Sequence, residues 1–324
     1  MTETAEVLVY TSPGAAEIRR AVLPPLDEGM VEIRTRHSAL SRGTERLVFE
    51  GRVPESEWAT MRAPFQQGEF PFPVAHGYAA AGVVEAGPDG LRGREVFALH
   101  PHQTRFRLPA GAVVPLPERV PAARAVLGAN AETALNAIWD AELRPGARVL
   151  VLGAGLLGCL IAGLLSRRAD LAVTVADLDP SRAAVISSFG VAFQSPDDLS
   201  DDHDTVFHTT ASAAGLQTAL ESLALEGKVI ELSWYGTRPV SVGLGGRFHS
   251  RRLSIQCSQV GHVAPSRRAS TSHHDRLSAA IARLGDPRFD ALVTESCRFR
   301  ELPGSIGRLL APDAPGIATR IDYD

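Results

Sequence analysis

Lysine is almost absent from this sequence: Lys228 is the single lysine among 324 residues, and arginine supplies nearly all of the positive charge. The 33 basic residues are outnumbered by 37 acidic ones, which gives a formal net charge of −4, and no run of basic residues occurs. Proteins that bind nucleic acid or an acidic membrane surface carry a basic patch. We therefore expect neither kind of partner, and we interpret the arginine bias as a matter of composition.

Cysteine is also scarce, with Cys159, Cys257 and Cys297 widely separated in the chain. An odd number at this spacing excludes a disulfide framework and a CxxC metal knuckle. The N-terminal stretch MTETAEVLVYTSPG is acidic, without the basic and then apolar pattern of a leader peptide, and no apolar run reaches about 18 residues. We expect a soluble protein of the reducing, cytoplasmic compartment.

The length of the chain and a change in its pattern of apolar residues predict two domains, because 324 residues are more than a single hydrophobic core usually organises. From residue 6 to about 115, short alternating segments are broken by glycine and proline, which indicates a β-rich barrel or sandwich. From about residue 121 the apolar spacing becomes helical, and apolar strands then alternate with helix-length segments, which is typical of a parallel sheet buried on both faces. The strands predicted for this sheet are Arg148–Leu152, Ala172–Ala176, Thr205–His208, Val229–Leu232 and Leu253–Cys257.

The last part of the chain begins with an arginine- and serine-rich loop after about residue 262. The stretch DRLSAAIARLG predicts a helix that is stopped by Gly285 and Pro287. The tail ATRIDYD has the residue pattern of a strand, and we expect it to return to the first domain and close its sheet.

A glycine-rich turn follows the first strand of the second domain. Gly153, Gly155 and Gly158 form G-x-G-x-x-G between a strand and a helix, the setting in which such glycines cradle a pyrophosphate. Asp177 ends the next strand about twenty residues further on, where a carboxylate accepts hydrogen bonds from adenosine ribose hydroxyls and repels a 2′-phosphate. This spacing favours NAD over NADP. Two alternatives stay open: Asp177 or Asp179 caps the next helix, and Arg182 pairs with a phosphate.

A β-rich first part, a mid-chain dinucleotide fold and a short C-terminal return together resemble the medium-chain dehydrogenase/reductase superfamily. Within it, SRGTER and FALHPHQTRFRLPA look most like the subgroup that includes bacteriochlorophyllide hydroxyethyl dehydrogenase. The resemblance implies an α/β fold with a GroES-like β-rich domain at residues 1–125 and a Rossmann domain with a doubly wound parallel sheet at 126–261. Residues 262–324 would return to the GroES-like domain.

The zinc ligands of that superfamily have no counterpart here. Its C-G-T-D motif falls on residues 42–45, with Arg42 in place of the cysteine, and its G-H-E motif falls on residues 77–79, with Tyr78 in place of the histidine. The third ligand position falls near Ala129, and the four-cysteine structural lobe is missing. A tetrahedral site of the family's type needs thiolate and imidazole ligands, so we expect no zinc. A substitute site built from His37, His76, His100 and His102 is the disfavoured alternative.

Three residues at these positions are candidates for catalysis. Tyr78 could donate a proton to the substrate oxygen, or it could fill the space that the metal has left. Thr44 corresponds to the hydroxyl residue that passes protons in the zinc relatives. Arg42 could replace the metal's positive charge, or it could form an outward ion pair with Glu45 or Glu50.

The resemblance also implies further contacts to the cofactor, in the glycine turn, after the second strand and at the nicotinamide end. These residues are Ala154, Leu156, Leu157, Leu178, Arg182, Thr209, Thr210, Ser233, Trp234, Tyr235, Cys257 and Ser258. Two arginine pairs, at 251–252 and 267–268, could clamp an anionic substrate or could be solvated surface.

The sequence therefore predicts a zinc-independent, NAD(P)-dependent oxidoreductase that interconverts an alcohol and a carbonyl group of a small molecule. An anionic substrate stays open. A quinone or enone reductase is the alternative within the same superfamily. A dinucleotide-binding protein without catalysis is the non-enzymatic alternative. Relatives often form dimers through the last strands of their cofactor domains, so a homodimer is possible.

Overall fold

The computed structural model describes residues 3–323 and divides into two compact units. The β-rich unit comprises the described residues up to Ala129 together with those from Ile281 onwards. The parallel-sheet unit comprises Asn130–Ala280.

The elements are numbered in chain order through both units. The strands are β1 Thr4–Ser12, β2 Ala15–Val22, β3 Met30–Leu40, β4 Gln67–Gly68, β5 Val74–Ala75, β6 Ala80–Ala86, β7 Glu95–Ala98, β8 Arg105–Pro109, β9 Val113–Pro115, β10 Arg148–Leu152, β11 Ala172–Ala176, β12 Ala192–Gln194, β13 His203–His208, β14 Leu223–Glu231, β15 Ser254–Cys257, β16 Val293–Arg298 and β17 Ala318–Asp322. The α-helices are α1 Arg42–Phe49, α2 Ala122–Ala125, α3 Gly128–Ala141, α4 Leu156–Leu165, α5 Ala183–Ser188, α6 Ala213–Glu221, α7 Arg247–Ser250, α8 His273–Arg283 and α9 Leu302–Leu309. Short 3-10 helices lie at Glu55–Glu57, Ala110–Ala112, Pro180–Arg182, Pro196–Asp198, Pro287–Leu292 and Phe299–Glu301.

Two sheets form the β-rich unit. The larger has the order β16-β17-β3-β6-β7-β9, with β8 also paired to β3, and the smaller has the order β2-β1-β5-β4. Strand β17 runs antiparallel to β3, with Asp322 opposite His37. The tail thus pairs with a strand of the β-rich unit.

The core of the β-rich unit lies on one face of the larger sheet. Alternate apolar side chains of β3, β6, β7 and β8 meet there, among them Ile33, Val84, Val96 and Phe106, all of which are buried. Helix α1 begins almost directly after β3 and turns its buried face inward. This short connection brings polar side chains of β3 and α1 into the same interior region.

The parallel-sheet unit has the strand order β12-β11-β10-β13-β14-β15, and every neighbouring pair is parallel. This is the doubly wound order in which the connection reverses between β10 and β13, where ligands bind at the carboxyl ends of the strands. All five predicted strands are present, and β14 starts earlier, at Leu223. The predicted α/β fold class, a β-rich unit with a Rossmann unit, is confirmed.

The boundary of the C-terminal return differs from the prediction. The return was predicted to begin at 262, but residues 262–280 belong to the parallel-sheet unit. The reason is Arg276 of α8, which is 1% exposed and donates from Nε to the Glu132 carboxylate (3.0 Å) and from Nη1 to the Asn136 side chain (2.6 Å). A buried arginine needs such partners, so α8 follows α3 into this unit.

The helical segment predicted from about residue 121 is interrupted between α2 and α3. Gly128 begins α3 at a crowded point, because a Cβ atom there would lie 3.2 Å from the Phe97 ring and 3.1 Å from Ile281.

In residues 3–323 no helix combines the length and the apolar character that crossing a membrane requires.

Candidate active site

The glycine turn of the parallel-sheet unit connects β10 to α4. Gly153 has a φ of +105°, which favours glycine, and a Cβ atom on Gly158 would overlap the carbonyl oxygen of Gly153. Gly155 differs, because a Cβ atom there would meet nothing within 4 Å. It is the N-cap of α4, and no side chain caps this helix end. The turn therefore leaves open space beside helical N–H groups, as a dinucleotide phosphate requires.

Asp177 lies next to this turn, at the carboxyl end of β11. Its Oδ2 accepts the Ala154 N–H at 2.6 Å, and its Oδ1 accepts the Asp179 N–H at 2.8 Å. Asp179 caps the following 3-10 helix by accepting the Ser181 N–H, and it also pairs with Arg182 at 3.1 Å. The capping function that the sequence left open for either aspartate thus belongs to Asp179, which also holds the Arg182 guanidinium.

A hydrogen-bond network centred on His208 joins the ends of β13 and β14 at the same edge. His208 Nδ1 lies 2.8 Å from Glu231 Oε2, and its Nε2 lies 2.7 Å from Thr210 Oγ1. Glu231 also accepts the Ser233 N–H at 2.7 Å and the Tyr235 hydroxyl at 3.1 Å. Burial raises the pKa of the Glu231 carboxyl, but the hydrogen bonds from His208 and Ser233 lower it by more. The net pKa is therefore below its ordinary value. His208 could not be predicted from the sequence, because its partner Glu231 belongs to another strand.

Other predicted cofactor residues lie along this edge in varied surroundings. The Thr209 hydroxyl donates to the Leu152 carbonyl at 3.1 Å. Leu178 is 85% exposed and follows Asp177 directly. Cys257 is exposed at the end of β15, whereas the Ser258 hydroxyl is buried and donates to the Asp140 carboxylate at 2.7 Å.

The two arginine pairs have partners within the parallel-sheet unit. Arg251 contacts the Asp201 carboxylate at 3.0 Å, and Arg252 pairs with Glu226 at 2.9 Å. The Arg267 guanidinium lies 5.6 Å from the centroid of the Trp139 ring. These contacts favour the surface alternative over an anion clamp.

The β-rich unit contains a buried polar network around Glu45. Glu45 Oε2 accepts the Tyr10 hydroxyl at 2.9 Å and lies 3.0 Å from His102 Nε2. Ser38 Oγ lies 2.7 Å from His102 Nδ1 and 3.0 Å from the Tyr323 hydroxyl. His102 thus links the Glu45 carboxylate, through Ser38, to the Tyr323 hydroxyl.

Glu45 is ionised in this setting despite its burial. Burial raises the pKa of the carboxyl, but His102 and the Ser41 N–H, which donates to Oε1 at 2.7 Å, bring the net pKa below its ordinary value. Glu45 corresponds to the acidic position of a motif in the resembled family, but that position does not predict its partners. Tyr10 and His102, which contact Glu45, come from distant parts of the chain.

Tyr78 lies beside this network, just before β6. Its hydroxyl is hydrogen-bonded to the side chains of Ser41 and Thr44, and burial raises its pKa to about 12. The His76 ring meets the Tyr78 ring edge-on at a centroid distance of 5.8 Å. The structure therefore brings the predicted residues Tyr78 and Thr44 together.

Arg42 points to the C-terminal segment of the β-rich unit. Its guanidinium donates to the carbonyl oxygens of Ala314 (3.0 Å), Pro315 (2.5 Å) and Gly316 (3.2 Å). For the two acidic residues that the sequence left open as partners of Arg42, the structure shows other contacts: Glu45 lies in its own network, and Glu50 pairs with Arg52. A role of Arg42 toward substrate stays a prediction.

The residues at the ligand positions of the resembled family do not fit a tetrahedral zinc site. Arg42 is bound to backbone carbonyls, Tyr78 is bound to hydroxyls, and Ala129 has no ligand atom in its side chain. The four histidines of the substitute site have separate partners: Asp322 for His37, Gln66 for His76, the stacked Phe106 ring for His100, and Glu45 for His102. Over the described part of the chain, no group of three or more His, Cys, Asp or Glu side chains is placed to hold a metal ion.

The fold matches solved dehydrogenase structures over the whole chain at low identity. L-idonate 5-dehydrogenase from Escherichia coli is similar over 100% of this chain and 99% of its own, with 13% identity and a TM-score of 0.80. Acetophenone reductase from Geotrichum candidum in complex with NAD matches over 99% and 98%, with 17% identity and a TM-score of 0.77. 2R,3R-butanediol dehydrogenase from Bacillus subtilis matches over 99% and 100%, with 15% identity and a TM-score of 0.74.

Sequence comparison adds no closer relative, because neither a protein-family model nor a curated protein matches the chain. At these identities the structural likeness concerns the fold.

Proposed function

We propose that this protein is an oxidoreductase that uses a nicotinamide dinucleotide to interconvert an alcohol and a carbonyl group of a small molecule. The observation that carries the proposal is the turn from β10 to α4, where open space at Gly155 lies beside uncapped helical N–H groups. Asp177 is bound to the backbone of that turn. The dehydrogenase and reductase activities in the names of the structural neighbours support the same reaction class.

The cofactor residues have separate tasks in this proposal. The N–H groups at the start of α4 would hold the pyrophosphate, and Asp177 would accept hydrogen bonds from the adenosine ribose. The bound dinucleotide supplies the hydride acceptor or donor. The network of His208, Glu231 and Ser233 keeps the two loops at the carboxyl edge in a defined conformation.

Tyr78 is the proton donor of the proposed reaction. Because its pKa is raised to about 12, the phenol keeps its proton at neutral pH and donates a hydrogen bond to a substrate oxygen. As negative charge develops on that oxygen during reduction of a carbonyl, the Tyr78 hydroxyl stabilises it. Thr44 and Ser41 hold the hydroxyl and can return a proton to it.

The proposal includes a preference for NAD over NADP and catalysis without zinc. The Asp177 carboxylate would repel a 2′-phosphate, and Arg182, which could attract one, is paired with Asp179. The positions that carry zinc ligands in the resembled family fall on Arg42, on Tyr78 and near Ala129, and none of these side chains is a thiolate, an imidazole or a carboxylate.

The test is to titrate purified, chelator-treated protein with NADH and with NADPH by fluorescence, together with elemental analysis of untreated protein. We expect tighter binding of NADH and no stoichiometric zinc. A panel of alcohols, ketones, enones and quinones then identifies the reaction. One zinc per chain would overturn the metal-free part of the proposal, and tighter NADPH binding would overturn the role of Asp177.

The panel also separates the alternatives. Turnover of enones or quinones without turnover of alcohols or ketones would make the protein a double-bond reductase. Tight dinucleotide binding with no turnover on any compound would make it a binding protein without catalysis.

A further inference from the structure

A surface pocket of the parallel-sheet unit is lined by polar side chains that can all donate hydrogen bonds. It lies between the end of β15 and the first turn of α8, and its volume is about 310 Å3. Its lining residues are His262, Val263, Arg268, Thr271 and His273. None of these side chains is acidic. An arginine, two imidazoles and a hydroxyl around one space are the groups that bind an oxyanion.

The backbone around this pocket is held in a defined conformation. The buried Arg276 guanidinium donates to the carbonyl oxygen of His262 at 3.1 Å and also to that of Val260. The Ala264 N–H donates to the Asn136 side chain at 3.1 Å. A ligand would therefore meet a pocket that is already formed, and little free energy would be lost in ordering it.

Two of the lining side chains are oriented by hydrogen bonds to this backbone. Arg268 Nε donates to the Val263 carbonyl oxygen at 3.2 Å, and its two Nη groups are in no ion pair among residues 3–323. His273 Nε2 lies 2.9 Å from the Gly261 carbonyl oxygen, which can only accept, so the proton is on Nε2. The planar end of the Arg268 side chain and Nδ1 of His273 remain for a ligand.

The carboxyl groups near the pocket oppose an anion only weakly. Glu132 lies within electrostatic range of His273, and Asp140 lies within that range of Arg268. Burial raises the pKa of both carboxyls, which favours their neutral forms. The carboxylate of Asp275 is occupied by hydrogen bonds at the start of α8. The guanidinium of Arg268, in contrast, keeps its positive charge at any physiological pH.

We propose that this pocket is a binding site for a phosphate group. A carboxylate has two oxygens in one plane and is satisfied by a guanidinium alone, whereas a phosphate has three terminal oxygens and takes donors from several directions. The arginine, the imidazoles and the Thr271 hydroxyl supply such a set. The pocket does not include the glycine turn, so the inference goes beyond the proposed oxidoreductase function and does not depend on it.

The first test locates the bound ion by NMR. Protein with 15N-labelled histidine is titrated with inorganic phosphate, with acetate and with chloride at constant pH and ionic strength. The resonances of His262 and His273 are assigned by their loss in His262→Gln and His273→Gln. We expect both to shift saturably with phosphate and not with acetate or chloride. The buried His203, which donates to the Ser222 carbonyl at 3.0 Å, is the internal control and should not shift.

The second test separates two neighbouring arginines. Arg268→Gln removes the guanidinium from the pocket. Arg267→Gln is the matched control, because it removes the same charge from a side chain that lies over the Trp139 ring and does not line the pocket. By isothermal titration calorimetry we expect Kd for inorganic phosphate to rise by about tenfold or more in Arg268→Gln, and by less than about threefold in Arg267→Gln.

Three results would overturn the proposal. Equal effects of the two arginine substitutions would mean that phosphate responds to the charge of this surface in general. Phosphate binding that Arg268→Gln leaves unchanged would locate the ion elsewhere, such as at the glycine turn. Shifts of the two histidine resonances with acetate as well as phosphate would contradict the choice of a phosphate group.

Glycerol 3-phosphate distinguishes the two sources from which the group could come. Tighter binding of this compound than of inorganic phosphate, with the same loss in Arg268→Gln, would support the site and assign it to a phosphorylated small molecule. Equal or weaker binding, again lost in Arg268→Gln, would support the site and assign it to free phosphate.

Discussion

Two glycines of the same turn have different surroundings, and this difference can be tested residue by residue. A methyl group on Gly158 would overlap the Gly153 carbonyl, whereas a methyl group on Gly155 would project into open space. We expect Gly158→Ala to lower the melting temperature and to abolish dinucleotide binding. Gly155→Ala should change stability by less than about 1 kcal/mol and still weaken NADH binding, because the methyl group occupies the place of a phosphate.

Differential scanning calorimetry and an NADH titration of both variants check this prediction. Equal loss of stability in the two variants would contradict the assigned difference, and unchanged NADH affinity in Gly155→Ala would contradict a phosphate at this helix end.

The proposed role of the Tyr78 hydroxyl as proton donor can be tested by a single substitution. Tyr78→Phe removes the proton donor and keeps the ring that packs against His76. We expect kcat for carbonyl reduction to fall by about 10²- to 10⁴-fold, the usual contribution of a positioned acid, with the affinity for NADH unchanged. Steady-state kinetics together with fluorescence titration measure both quantities. Tyr78→Phe with full activity would leave Tyr78 as a packing residue, the other possibility that its sequence position allowed.

Local spacing explains which site residues sequence analysis could find. The glycines of the turn and Asp177 belong to one continuous strand–turn–helix–strand segment, so their positions relative to one another follow from chain geometry. The partners of Glu45 could not be found in this way, because β3, residue 102 and the C-terminal strand come together only after the sheet has formed.

At the scale of elements, a buried arginine attaches α8 to α3. Arg276→Ala would leave the Glu132 carboxylate buried without its partner, so we expect it to lower the free energy of unfolding by about 3 to 5 kcal/mol. Arg168→Ala is the matched control, because Arg168 forms an exposed pair with Asp170 and its loss should change the free energy of unfolding much less. Urea denaturation of the two variants gives both values. Similar values for the two would show that the buried pair contributes no more than the exposed one.

Arg276 also shows why individual helices and strands were easier to predict than the unit to which each of them belongs. Apolar runs of strand length, such as RVLVL at β10, identify buried parallel strands without further information. The pattern of DRLSAAIARLG identifies a helix equally well, but it does not tell which unit the helix joins. That depends on the partners of one charged side chain, which lie more than a hundred residues earlier in the chain.

At the scale of the whole molecule, two buried imidazoles make stability depend on pH. Burial lowers the pKa values of His76 and His100 to about 4, below the value of about 6.5 in an unfolded chain. The unfolded state therefore binds protons first, so stability is fully present above about pH 6.5 and is lost as the pH falls toward 4. From about pH 7.5 to about pH 5 we expect a loss of about 2 kcal/mol for each imidazole.

His100→Phe isolates one of these contributions. The His100 ring stacks on Phe106 at a centroid distance of 3.8 Å, and a phenyl ring can keep that contact. Urea midpoints of wild type and variant near pH 7.5 and near pH 5 should show a smaller loss in the variant, by about 2 kcal/mol. An equal loss in both proteins would mean that His100 does not take part in this pH dependence.

Because the chain has a single lysine, Lys228, opening of the parallel sheet can be detected by proteolysis. Lys228 lies in β14, where it pairs with Thr205 of β13 on one side and with Ser254 of β15 on the other. A protease that cleaves only after lysine has one substrate bond in the chain, Lys228–Val229, and an extended strand held on both sides does not enter a protease active site. We expect cleavage to occur only when the sheet opens. The rate at which two fragments appear would therefore report on sheet opening without any label.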